Sequence, residues 1–90
     1  METTNATHTQ LPLCSSLPTL RRNDQAAPNQ DVRYLQQKLT QKGYPVTIDG
    51  IFGGKTEQAV INFQRSKRIA IDGIVGPQTW ERLGACTFGG

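Results

Sequence analysis

A nine-residue phrase occurs twice in this chain. Ile48-Asp49-Gly50-Ile51-Phe52-Gly53-Gly54-Lys55-Thr56 returns as Ile71-Asp72-Gly73-Ile74-Val75-Gly76-Pro77-Gln78-Thr79, so that I-D-G-I-x-G-x-x-T recurs at a single offset. A repeat this short is too small to fold as a domain. It reads as one loop-to-helix entry used twice within a small fold. Each residue type has a physical reason to be there. An aspartate can accept hydrogen bonds from backbone N–H groups a little further on and so hold a turn. Gly50 and Gly73 permit a positive φ that a side chain would penalise. Gly53 and Gly76 stand where the chain enters a helix. Thr56 and Thr79 fall in the first helical turn, where a hydroxyl can bridge back to the loop or to the carboxylate. Asp49, Gly50, Gly53 and Thr56, with Asp72, Gly73, Gly76 and Thr79, are therefore expected to be structural turn residues.

Helical periodicity fills in the rest. Val32, Leu35 and Leu39 recur at helical spacing between an Asn29 N-cap and a Gly43 stop, which predicts a helix from about Gln30 to Lys42. Pro45 makes Tyr44 to Ile48 extended. Ala59, Val60 and Phe63 mark a second helix, about Gly54 to Lys67. Trp80 and Leu83 mark a third, about Pro77 to Leu83, with Pro77 at its favoured first position. A fainter echo links Val32-x-x-Leu35-Gln36 to Val60-x-x-Phe63-Gln64. Both glutamines follow core positions and are expected to bond nearby backbone. The fold class is all-α: a compact three-helix domain with two Asp-Gly elbows and no sizeable sheet.

Ninety residues allow one domain with a thin core. Residues 1–19, rich in Thr, Ser, Asn, Gln and Pro, read as a flexible leader, residues 20–86 as the domain and 87–90 as a tail. Cys14 and Cys86 flank the domain. A disulfide between them, favoured over two unpaired thiols, would tie leader to C-terminus and imply an oxidising compartment.

Several function classes find little support. No apolar run approaches a membrane span, so no membrane insertion is expected. The opening residues do not read as a signal peptide. The net charge of +3 is mild, and no basic stripe with interleaved aromatics argues for nucleic acid. Arg65, Lys67, Arg68 and Lys55 are the cations such a reading would need. Each repeat copy has a single carboxylate, short of a calcium loop, and no Cys/His cluster suggests zinc, so no metal and no cofactor are expected. His8 has no neighbouring nucleophile system. Asp49 and Asp72 could pair as glycosidase carboxylates only by abandoning their turn role. An enzyme is not expected.

The order V-x-x-L-Q-x-x-L from Val32 to Leu39, Gly43-Tyr44, D-G-I-F-G-x-x-T from Asp49 to Thr56, A-V-x-x-F-Q from Ala59 to Gln64, and D-G-I-V-G-x-x-T-W from Asp72 to Trp80 closely resembles the peptidoglycan-binding-like domain. The resemblance spans roughly residues 31 to 85. Leu20-Arg21-Arg22-Asn23-Asp24 also resembles that family's lead-in, with Asn23 in place of a glycine and a longer spacer from Gln25 to Gln30. The resemblance implies a non-catalytic, three-helix wall-binding module. Its partners would be peptidoglycan, through glycan strand or stem peptide, and a cell-wall hydrolase in a parent protein. The module is expected to be a monomer outside the cytoplasmic membrane. Tyr44, Phe52, Asn62, Arg65 and Trp80 are the expected ligand-binding residues, as aromatic faces for sugars and polar groups for peptide. The alternative is a protein-interaction module on the same fold, which apolar exposure near Phe52 and Trp80 would favour.

Overall fold

The computed structural model describes residues 11–89. His8 and the first half of the expected leader lie outside them. Three helices form: α1 (Gln30–Gln41), α2 (Gly54–Lys67) and α3 (Pro77–Arg82). Among the described residues there is no strand beyond two isolated bridges, Leu13 with Thr87 and Leu20 with Val75. The fold class is the one expected, and helix ends differ from the sequence reading by a residue.

The Asn29 side chain caps α1 by accepting from the N–H groups of Asp31 (2.6 Å) and Val32 (3.2 Å). This satisfies two donors that an α-helix leaves orphaned at its start. Helices α2 and α3 have no side-chain cap. Each is entered through an extended glycine, Gly53 (φ −98°, ψ −163°) and Gly76 (φ −102°, ψ −169°). The near-identity of those angles shows that the two copies of the repeat adopt one shape. Gly50 (φ 80°) and Gly73 (φ 73°) agree as well. A Cβ on Gly50 would also sit 2.9 Å from the Asn29 backbone nitrogen, so that position excludes a side chain twice over.

Val32, Leu35 and Leu39 of α1, Ala59, Val60 and Phe63 of α2, and Trp80 and Leu83 around α3 meet in one core. Phe52 and Val75, the same position in the two repeat copies, join it. Trp80 stacks on Tyr34 with ring centroids 5.8 Å apart, and its indole N–H donates to the carbonyl of Pro18 at 2.8 Å. A buried indole needs such a partner, and here the segment before the domain supplies it.

From Leu11 on, that segment is tied to the domain through Cys14, the tether that the sequence reading allowed for. A short 3-10 turn, Cys14–Ser16, packs on α3. Cys14 and Cys86 form a disulfide, with Cα atoms 4.9 Å apart. The Cys14 N–H donates to the Thr87 carbonyl and the Thr87 N–H to that of Pro12, both at 2.9 Å. Thr87, read as tail, is thus paired. Leu17 and Leu20, half-buried, pack against the core. Of the four leucines that a tether at Cys14 would allow to dock, Leu17 and Leu20 do so, whereas Leu11 and Leu13 stay exposed.

The lead-in runs across both elbows. Leu20 exchanges two backbone hydrogen bonds with Val75 (3.0 and 2.8 Å), and the Asn23 N–H donates to the carbonyl of Phe52 at 2.8 Å. The Asn23 side chain accepts from the N–H of Gln25 at 3.2 Å, closing the turn in which it replaces a glycine.

Candidate functional site

Each elbow is held by a glutamine from the preceding helix. The Gln36 Nε2 donates to Asp49 Oδ1 (3.0 Å), the Ile51 carbonyl (3.0 Å) and Thr56 Oγ1 (3.1 Å). Its Oε1 accepts from the N–H groups of Asp49 (3.0 Å) and Gly50 (2.9 Å). Gln64 repeats the arrangement on Asp72 (3.1 Å), Ile74 (2.9 Å) and Thr79 (3.1 Å), accepting from Asp72 (3.1 Å) and Gly73 (2.9 Å). Asp49 Oδ1 and Asp72 Oδ1 each accept from the N–H two residues on, at 3.0 and 2.9 Å. Each aspartate therefore closes its own turn. The threonine hydroxyls reach the loop through the glutamine amide rather than directly. Both glutamines are buried, which leaves them no access to ligand.

These bonds act on Asp49 electrostatically. The N–H of Ile51, then the Gln36 amide, hold its carboxyl below the usual carboxylate range. A carboxylate committed in this way is a brace, and among the described residues no group of three His, Cys, Asp or Glu is placed to hold a metal.

The braced elbow sets α2 against the extended segment after α1 and opens a groove of about 670 Å³ between them. Tyr44, Pro45, Val46 and Thr47 form one wall; Lys55, Gln58, Ala59 and Asn62 of α2 form the other. Lys55, Gln58, Ala59 and Asn62 are spaced i, i+3, i+4, i+7 and so share one helix face. Tyr44 is fixed in its wall. Its hydroxyl bonds Ser66 Oγ at 2.7 Å, and its ring meets Phe63 edge-on at 5.6 Å.

The five expected ligand residues separate. Tyr44 and Asn62 line the groove. Arg65 lies beside it, its Nη1 donating to Asn62 Oδ1 at 3.2 Å. Phe52 (2% exposed) and Trp80 (0%) belong to the core and have no surface to offer a ligand. The reason for Phe52 was present in the repeat. Its counterpart is Val75, and a position apolar in both copies is a core position. Trp80 has no such counterpart, because the residue after Thr56 is Glu57. Its burial follows from Tyr34 and the Cys14-tethered segment. Lys55 and Gln58 also line the groove and were not among the expected ligand residues, although they share the helix face of Asn62. Val46 and Thr47 carry no signal in the sequence. Apolar exposure is found not at Phe52 and Trp80 but at Leu11, Leu13 and Phe88, beside the joined ends, and at Ile48 and Ile71.

These features define a small helical binding domain, built on two glutamine-braced elbows that present an open groove. Residues 28–83 match the family described as "Putative peptidoglycan binding domain", and the chain belongs to that family. Over 54 residues it is 43% identical to N-acetylmuramoyl-L-alanine amidase CwlM of Mycobacterium tuberculosis, covering 59% of this chain and 13% of that protein. It is 44% identical over 57 residues to the zinc D-Ala-D-Ala carboxypeptidase of Streptomyces albus G, covering 58% of this chain and 22% of the enzyme. The crystal structure of the SleB N-terminal domain superposes with a TM-score of 0.68 at 34% identity, over 77% of this chain and 92% of that one. The chain thus spans about an eighth to a fifth of these two curated relatives. What it shares with them is a binding module, and most of each enzyme's length lies outside the match.

Proposed function

We propose that this chain binds bacterial cell-wall peptidoglycan outside the cytoplasmic membrane and anchors or targets a wall-active protein there, without catalysis of its own. The observation that carries this reading is the match of residues 28–83 to a peptidoglycan-binding family together with an open groove on that same segment. The Cys14–Cys86 disulfide agrees with an oxidising, extracytoplasmic setting. Co-sedimentation with purified insoluble sacculi tests it. The protein is expected in the pellet at low and moderate salt, and a protein that stays in the supernatant refutes the reading.

The alternative, docking on a partner protein, has one observation in its favour: the exposed Leu13 (52%) and Phe88 (62%) beside the joined ends. Polar substitution of both would leave sacculus binding intact under the first reading. Under the second it would abolish capture of the partner.

A further inference from the structure

Resting on that reading, we propose that the groove takes the peptide part of peptidoglycan rather than its glycan, holding an acidic stem peptide between Lys55 and Asn62. Three observations point the same way.

The first is charge. No acidic side chain is among the groove's lining residues, whereas Lys55 stands at one end and Arg65 lies just beyond Asn62 at the other. Lys55 is exposed in the first turn of α2, where the helix dipole adds to its positive field. Such a site favours an anionic ligand.

The second is the orientation of Asn62. Its Oδ1 accepts from Gln58 Nε2 at 3.2 Å and from Arg65 Nη1 at 3.2 Å. A guanidinium can only donate, so Arg65 fixes which end of the Asn62 amide is the carbonyl. The Asn62 N–H2 group, with no protein partner among the described residues, is left to donate outward. Gln58 donates one of its two amide N–H bonds to Asn62 and keeps its carbonyl as an acceptor. Together the two amides present a donor and an acceptor, the complement of a peptide unit. Seven residues of α2 separate Lys55 from Asn62, a rise of about 10 Å, which about three extended peptide residues span.

The third is the lack of a sugar platform. Tyr44 is the one aromatic among the lining residues, and it is half-buried with its hydroxyl taken by Ser66 and its ring packed on Phe63. Sugar rings stack on open aromatic faces, and the groove offers none comparable.

Titration of the 15N-labelled full chain tests this, with three ligands and a buffer control followed by NMR: stem peptide with free carboxylates, the same peptide with its carboxylates amidated, and peptide-free glycan chains. The acidic peptide should move the amide and side-chain signals of Lys55, Gln58 and Asn62. Amidation, or Lys55→Gln, should weaken it about tenfold, the equivalent of one charge-assisted hydrogen bond. Asn62→Asp keeps the acceptor that Gln58 and Arg65 use, removes the outward donor and adds a repelling charge. It should leave the melting temperature unchanged and abolish peptide binding. Retention on sacculi, measured in parallel, separates the two levels. A chain not retained by sacculi overturns the functional reading and this one with it. A chain that is retained, but whose groove signals respond to peptide-free glycan or ignore the peptide, overturns this inference alone.

Discussion

At the scale of single residues, two buried amides do most to hold the fold. Gln36 and Gln64 each make five hydrogen bonds to an elbow. Without the amide the aspartates keep the N–H two residues on, but the Asp-Gly N–H groups lose the acceptor that holds them. Gln64→Glu replaces a donor by an oxygen facing the Asp72 carboxylate, the Ile74 carbonyl and the Thr79 hydroxyl. The variant should lose about 3 kcal/mol or more at neutral pH, the usual cost of a broken buried network with an added charge. Part of that loss should return in acid, as the new carboxyl takes up a proton and regains a donor. Chemical denaturation at two pH values reads both effects.

Asp49 contributes to pH dependence in the opposite direction. Its folded-state pKa is depressed, chiefly by the Ile51 N–H and then by the Gln36 amide. Its stabilisation is therefore fully present above the unfolded carboxylate value and is lost as pH falls through the lower folded value. Asp49→Asn keeps an acceptor for Ile51 but cannot ionise. Its melting temperature should fall below that of the parent at neutral pH, and the gap should close on acidification. Asp49→Ala should melt lower still. A parent and an Asp49→Ala variant with equal melting temperatures would remove the brace from the account.

At the scale of elements, the three helices begin in two different ways and end in different ways too. A side chain caps α1, whereas glycines and the elbows deliver α2 and α3. Helix α2 ends on Arg68, the one non-glycine residue with positive φ (57°, ψ 41°) among the described residues. A left-handed conformation at a residue with a side chain costs about 1 kcal/mol, which glycine avoids. Arg68→Gly should therefore stabilise the domain by about 1 kcal/mol, measured as a raised urea midpoint with an unchanged slope. The basic end of α2 is legible in sequence as a helix C-terminus. That the residue closing it is bent left-handed is not, since most chains place a glycine there.

At the scale of the whole molecule, the disulfide and the segment it tethers complete the core. The bond closes a loop of 72 residues' separation, for which chain entropy gives a stabilisation of about 4 kcal/mol. The Cys14→Ser, Cys86→Ser double variant should lower the melting temperature sharply. It should also release the carbonyl of Pro18 from the Trp80 indole, seen as a red-shifted tryptophan emission. Emission unchanged with the disulfide removed would mean that Leu17 and Leu20 hold the segment without it.

The local code was readable in the chain because its determinants are local. Helix periodicity, the Asn29 cap, the Pro77 start and the Asp-Gly turns depend on residues a few positions apart, and the repeat states them twice. Even the burial of Phe52 was encoded, in its correspondence with Val75. What only tertiary structure decided depends on parts distant in sequence meeting. Gln36 reaches an elbow 13 residues on, and Gln64 one only 8 residues on, so that the brace has no fixed spacing to recognise. The partner of Trp80 lies 62 residues away. The groove exists because the segment after α1 is set against one face of α2, and its membership follows from that packing rather than from any residue's own chemistry.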